Sequence, residues 1–349
     1  MNDASARISA LKSRLGDDLC IMGHHYQSDA VAAHCDIMGD SLELSRRVAD
    51  VTAKHIVFCG VFFMGESAAL LARPGQQVHL PEPDADCMMS LMAAGCLARL
   101  VLEELRAAGR RVIPLAYVNT SLGLKAVVGA YGGAVCTSAN ARDMLAWALE
   151  RADTVLFLPD RHLGRNTARA VGLCEEDWHV LRLSGDGIME PSSQPLDRRI
   201  LLWPGCCPIH GQMTPEMAHA AHAAHPGCRV LLHPECSPDA MAASDGAGST
   251  SFLIREAART AETSPGATLV IGTEVNLVNR LARRYAGKCT ILPLMQQAFC
   301  PDMNMITAAK LLASLESIAS GSPRPLALEE GLREPARLAL TRMLDVCGK

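Results

Sequence analysis

Residues 199–207 read RILLWPGCC. A short apolar run, Ile200 to Trp203, stops at Pro204 and Gly205, which force a turn. Two cysteines follow, and His210 lies three residues beyond them. A run this short, continuously apolar and ended by Pro and Gly, has the pattern of a parallel strand buried on both faces. It recurs in LCIMGHHY (19–26), HIVFCGVFF (55–63), QQVHLPEPDADC (76–87), RVIPLAYVN (111–119), TVLFLPD (154–160), CRVLLHPEC (228–236), TLVIGTE (268–274) and CTILPLM (289–295). Amphipathic stretches such as DSLELSRRVADVTA (40–53) and MMSLMAAGCLARLVLEELRAAG (88–109) lie between these runs. Strands alternating with helices predict an α/β fold. Polar residues crowd the strand ends, where an open parallel sheet takes its ligands.

The chain has 349 residues, long for one domain and enough for two or three. Hydrophobic residues make up 49% and aromatics only 4%, so the core is built from Ala, Leu, Val and Ile. A formal net charge of -4 argues against nucleic-acid binding, which needs a positive field. No uncharged apolar stretch reaches the length of a membrane span. The N-terminal MNDASARISALKSRLGDD lacks a secretory apolar region and reads as a short helix. The 14 cysteines then point to a reducing, cytoplasmic setting, where a cysteine is a core hydrophobe, a metal ligand or a catalytic group. Cys20, Cys35, Cys59, Cys96, Cys136, Cys174, Cys228, Cys289 and Cys347 sit in apolar or helical runs and read as ordinary thiols.

The order of parts repeats three times, which divides the chain into units 14–109, 110–213 and 214–320, with a closing tail and helix at 321–349. Each unit opens with a polar group at a strand end: GHHYQ (23–27), AYVNT (116–120) and HPEC (233–236). GDS (39–41), TSAN (137–140) and GSTS (248–251) each stand before a helix, where Ser or Thr caps the helix and free N–H groups favour anions. The units close on Cys87, Cys207 and Cys300. Three such units about a pseudo-threefold axis would bring together three thiolates. These could hold three irons of a four-iron cluster and leave the fourth open as a Lewis acid. Zinc on three cysteines and a water is the alternative, although thiolate-rich zinc sites are usually structural.

GHHYQ, GDSLELS (39–45), FCGVFFMGES (58–67), YVNTS (117–121), CTSANA (136–141), LPDRHLG (158–164), GCCPIH (205–210), HPEC, GSTS, GTE (272–274) and CPDMNMIT (300–307) follow one another in the order found in the quinolinate synthases of NAD biosynthesis. Through these motifs nearly the whole chain resembles that family. The resemblance implies three similar α/β/α sandwich units with parallel sheets around a pseudo-threefold axis and an active site between them. It implies a [4Fe–4S] cluster on three cysteines. The implied reaction is a transferase-type condensation of iminoaspartate with dihydroxyacetone phosphate, giving quinolinate with loss of phosphate and water. The family pattern Gly-x-Cys-x-[Val/Ile]-His lays onto Gly205 to His210, making Cys207 the ligand and placing Cys206 at the variable position. Cys87 and Cys300 match the other two cysteines. Asp86 stands where a glycine is usual, as a charge beside the cluster or a cap for the helix that follows. Leu294 and Gln297 replace the two accessory cysteines of some members.

By the same resemblance His24, Ser41, Tyr117, Asn119, Ser138, His233, Glu235 and Thr250 bind substrate, and Tyr26, Glu235, His24 and His233 carry the proton chemistry. The residue types suit these tasks: histidine titrates near working pH, and neutral hydroxyls and amides donate to oxyanions. His25 and Cys236 are not expected to act, and His210 is expected beside the Cys207 loop. Glu66 and Glu274 match family positions without an evident task. His219, His222 and His225 read as an exposed helical face. An aspartate oxidase would supply the imine. Two other readings remain: an aconitase-like iron–sulfur hydro-lyase, and an iron–sulfur redox sensor. The sensor would leave the strand-end His, Tyr, Asn and Glu set without a purpose.

Overall fold

The structure is a computed structural model that describes residues 3–348. The first of its parallel sheets contains β1 (Leu19–His24), β2 (Ile37–Gly39), β3 (His55–Cys59) and β4 (Gln77–His79), in the order β2-β1-β3-β4. The second contains β5 (Val112–Tyr117), β6 (Ala134–Cys136), β7 (Thr154–Leu158), β8 (Trp178–Val180) and β11 (Ile200–Leu202), in the order β6-β5-β7-β11-β8. A short antiparallel hairpin, β9 (Leu183–Ser184) and β10 (Gly187–Ile188), precedes β11. In the third sheet β12 (Arg229–Leu232), β14 (Thr268–Gly272) and β15 (Thr290–Pro293) run parallel in that order; β13 (Gly246–Ala247) is a two-residue strand. The α/β class expected from the sequence is therefore present. β1, β3, β7 and β11 are buried along their whole length, which is why they read as continuous rather than alternating apolar runs.

The chain divides into two compact units. One comprises the chain up to Cys87 with Met217–Leu232 and Ser249–Leu328; it holds the first sheet and β12, β14 and β15. The other comprises Met88–Glu216, His233–Gly248 and the chain from Glu329, and holds the second sheet. In the first unit Leu231, Leu253, Ala257, Leu269, Ile271 and Val278 form one buried cluster in which the helices Thr250–Thr263 and Val275–Arg284 cover the sheet. Burying a Leu or Ile side chain of this kind is worth roughly 1.5–3 kcal/mol.

The N-terminal helix runs Asp3–Leu15 and packs on the helix Ala308–Ala319. In the second unit the helix Glu330–Cys347 packs against the helix Leu122–Ala130. A Cβ on Gly129 would lie 1.8 Å from the Pro335 carbonyl oxygen, so only glycine allows this approach. Two caps differ from the expectation that Ser or Thr would provide them. Asp40, not Ser41, caps the helix Ser41–Val48 through a capping box with Glu43, because a carboxylate can accept two backbone N–H groups at once. Asn140 stands at the cap position before Ala141–Leu149 but turns its Oδ1 to the Thr137 N–H at 2.7 Å. Ser249 does cap Thr250–Thr263.

Candidate active site

In the second unit, His233 and Glu235 follow β12 in the chain, and Tyr117 ends β5. Glu235 is 3% exposed. Its Oε2 lies 2.5 Å from His210 Nδ1 and 3.6 Å from His233 Nδ1, and the Tyr117 hydroxyl also donates to its carboxylate. Burial opposes charge on Glu235, but the adjacent His210 imidazole and the hydrogen bonds from His210 and Tyr117 outweigh it and hold the carboxyl below its usual range. Burial also pushes His233 down to about 3, so its ring is neutral. The Glu235 N–H donates to His233 Nδ1 at 3.4 Å, which leaves the proton of the neutral ring on Nε2. The His210 and His233 rings stack with centroids 4.5 Å apart.

His210 Nδ1 is also 3.3 Å from Cys207 Sγ. Among the described residues Cys207, His210 and Glu235 form a group whose ligand atoms all lie within 4.8 Å of one another, close enough for a metal ion. His210, expected only as a neighbour of the cysteine loop, thus joins Cys207 to Glu235. Asn119, two residues past β5, has a buried Oδ1 with no hydrogen-bond partner, as a group awaiting a ligand would. Ser138 is half-buried, just before the helix at 141. The wholly buried Lys125 donates to the Thr120 carbonyl.

The first unit repeats the plan. His24 ends β1, and the Tyr26 N–H donates to His24 Nδ1 at 3.2 Å, as the Glu235 N–H does to His233. The Tyr26 and His24 rings meet edge to face at 4.6 Å. The Tyr26 hydroxyl is 2.7 Å from Thr273 Oγ1 and accepts from Thr250 Oγ1 at 3.4 Å. Thr250 and Ser41 are the first residues of their helices, and Ser251 donates to Asp40 Oδ2 at 2.8 Å. Thr273 was not singled out in the sequence, although its GTE motif was.

Corresponding positions therefore recur. A candidate residue stands at or just after the end of an opening strand with another two places on: His24 and Tyr26, Tyr117 and Asn119, His233 and Glu235; the first and third pairs are in contact. A hydroxyl stands at or just before a helix start: Ser41, Ser138, Thr250. A cysteine follows a later strand of each sheet: Cys87 after β4, Cys207 after β11, Cys300 after β15. All three cysteines are half-buried and outside any disulfide, Cys87 and Cys300 in the first unit and Cys207 in the second. Burial pushes the Cys300 thiol up to about 11. Cys236 is wholly buried and its thiol is held protonated by that burial, in keeping with its expected inactivity. His219 and His225 are exposed as expected, whereas His222 is half-buried with Nδ1 3.7 Å from Cys228 Sγ.

A family model described as "Quinolinate synthetase A protein" matches residues 6–345. The chain belongs to that family. The quinolinate synthase of Acidobacterium capsulatum is 40% identical over 348 residues, covering 98% of this chain and 92% of its own. That of Streptomyces coelicolor is 40% identical over 350 residues, covering 98% and 88%. That of Corynebacterium glutamicum is 41% identical over 351 residues, covering 97% and 86%. The chain is thus an enzyme of the quinolinate synthetase A family, which belongs to NAD biosynthesis. Among the described residues no helix is long and apolar enough to cross a membrane.

The chemistry of the donors fits an iron–sulfur cluster. Such clusters take thiolates. Cys87, Cys207 and Cys300 occupy matching loops, and His210 and Glu235 lie beside one of them.

Proposed function

We propose that this enzyme condenses iminoaspartate with dihydroxyacetone phosphate to form quinolinate, with loss of phosphate and water, and that Cys87, Cys207 and Cys300 hold a [4Fe–4S] cluster. When bound, the cluster would supply a Lewis-acid iron for the dehydration. One observation carries the reading: buried Glu235, with hydrogen bonds from His210 and Tyr117, stands beside Cys207. A carboxylate so held stays ionised, and next to a metal-binding thiol it can orient the His210 imidazole and the Tyr117 hydroxyl to pass a proton in a dehydration.

His24 and His233 accept a backbone N–H at Nδ1, so each offers an Nε2–H to a substrate carboxylate. The Tyr26 hydroxyl, bonded to Thr273 and Thr250, can hand a proton along that chain. Ser41, Ser138, Asn119 and Thr250 are neutral donors suited to the oxygens of phosphate and carboxylate. The three-unit division 14–109, 110–213 and 214–320 belongs to the same proposal, supported by one parallel sheet and one of Cys87, Cys207 and Cys300 in each range. So do supply of the imine by an aspartate oxidase and a cytoplasmic setting. The cytoplasmic setting is supported by 14 cysteines none of which is in a disulfide among the described residues.

The test is iron and sulfide content and the visible spectrum of protein purified without oxygen, with a quinolinate assay, on the native chain, Cys207→Ser and Cys206→Ser. About four irons per chain, lost with Cys207 and kept without Cys206, is the expected result. Zinc, or quinolinate formation undiminished in Cys207→Ser, would overturn it.

A further inference from the structure

One backbone hydrogen bond recurs at all three cysteines. The first residue of the helix that follows β3, β7 or β14 donates its N–H to the carbonyl two residues before the cysteine. Phe62 donates to Ala85 at 2.7 Å, Arg161 to Gly205 at 2.9 Å and Val275 to Ala298 at 3.0 Å. At two of the three cysteines a carboxylate then takes up the cysteine's own N–H. At Cys87 it is the preceding residue, Asp86, whose Oδ1 accepts at 2.7 Å. At Cys207 it is Asp160, whose Oδ2 accepts at 3.1 Å. Asp160 also holds the cap position of its helix; where that position carries Val61, Asp86 supplies the group instead.

Asp160 shows why an acid is needed. It is wholly buried. Its Oδ1 accepts the His162 and Leu163 N–H groups at 2.7 and 2.9 Å and caps the helix Arg161–Ala170. Its Oδ2 is given to Cys207. A cap alone is served equally well by Asn or Ser. Two acceptors pointing two ways require a carboxylate. We infer that Asp86 and Asp160 are positioning residues that seat the backbones of Cys87 and Cys207, with Asp160 joining Cys207 to the helix start. The purpose of this seating rests on the reading of the cysteines as ligands; the seating itself does not.

Asp160→Asn separates the two duties. Asparagine keeps the cap oxygen and turns an amide N–H2 toward the Cys207 N–H, donor against donor. The measurement is the rate of iodoacetamide labelling at each cysteine of metal-free protein at pH 8, resolved by mass spectrometry. Losing a hydrogen bond to a charged acceptor, about 1.5–3 kcal/mol, corresponds to a rise in Cys207 labelling of roughly tenfold or more. Exposed Cys174 and buried Cys136 should keep their rates. Unchanged Cys207 labelling, or Cys136 rising in step with it, overturns the inference, since the second would mean general loosening. If Asp160→Asn does not fold, Asp86→Leu, at a half-buried position, asks the same of Cys87. Iron uptake by the native chain is read separately: no iron, with Cys207 still unlocked by Asp160→Asn, sinks the cluster and sustains the seating.

Discussion

Replacing Gly205 by alanine tests how tightly the Cys207 loop is held to the end of β7. A Cβ at this position would lie 2.6 Å from the Pro159 carbonyl oxygen and 3.1 Å from Met92 Cβ, against an ordinary contact of 3.4 Å or more. The carbonyl is backbone and cannot swing aside, so the loop must retreat by about 0.8 Å to restore normal contact. Two hydrogen bonds cross the same seam, Arg161 N–H to Gly205 at 2.9 Å and Cys207 N–H to Asp160 at 3.1 Å. The same retreat takes both beyond hydrogen-bonding range. One neutral and one charge-assisted bond together amount to about 2–4 kcal/mol. For a unit of this size the melting temperature should fall by roughly 5–15 °C. Because Cys207 lies two residues away, iron retention should fall in the same variant. Thermal unfolding followed by circular dichroism, with iron analysis of anaerobic protein, reads both. A Gly205→Ala protein with native melting temperature and iron content would show that the loop has slack the distances deny.

Glu235→Gln should fold, since the amide oxygen still accepts from Tyr117 or His210, yet lose about 10²- to 10⁴-fold in quinolinate formation, the usual worth of a proton-transfer group. A loss under threefold would remove Glu235 from the chemistry. Tyr26→Phe should lower turnover more than Thr273→Val, because the threonine acts only through the tyrosine hydroxyl; the reverse order would refute the proton chain. Gly129→Ala should release the helix Glu330–Cys347, seen as faster hydrogen exchange there, because its Cβ would meet the Pro335 carbonyl. Buried His79, 3.1 Å from His55, is pushed down to about 4 by burial. Its folded pKa lies below the unfolded 6.5, so the stability it contributes is full above pH 6.5 and is lost as pH falls toward 4. The amount is about 3 kcal/mol, and His79→Gln should flatten the stability curve over that window in urea titrations.

Much of the fold was legible in the sequence. RILLW, HIVFC and TLVIG are short apolar runs bounded by turn residues, and they form parallel strands because local periodicity and burial on both faces suffice to specify them. The strand-end pairs His24 with Tyr26 and His233 with Glu235 were legible too, because a strand end fixes where its next residues emerge. Capping was less so: Asp40 displaced Ser41 because a carboxylate with Glu43 three residues on makes the reciprocal box.

The sequence by itself determined the α/β class and the family. Tertiary structure alone decided the partners. Nothing local joins His210 to Glu235, Thr273 to Tyr26 or Asp160 to Cys207, since 25, 247 and 47 residues separate them. Such contacts arise when segments far apart in the chain meet in the fold, and no propensity or spacing of single residues encodes that adjacency.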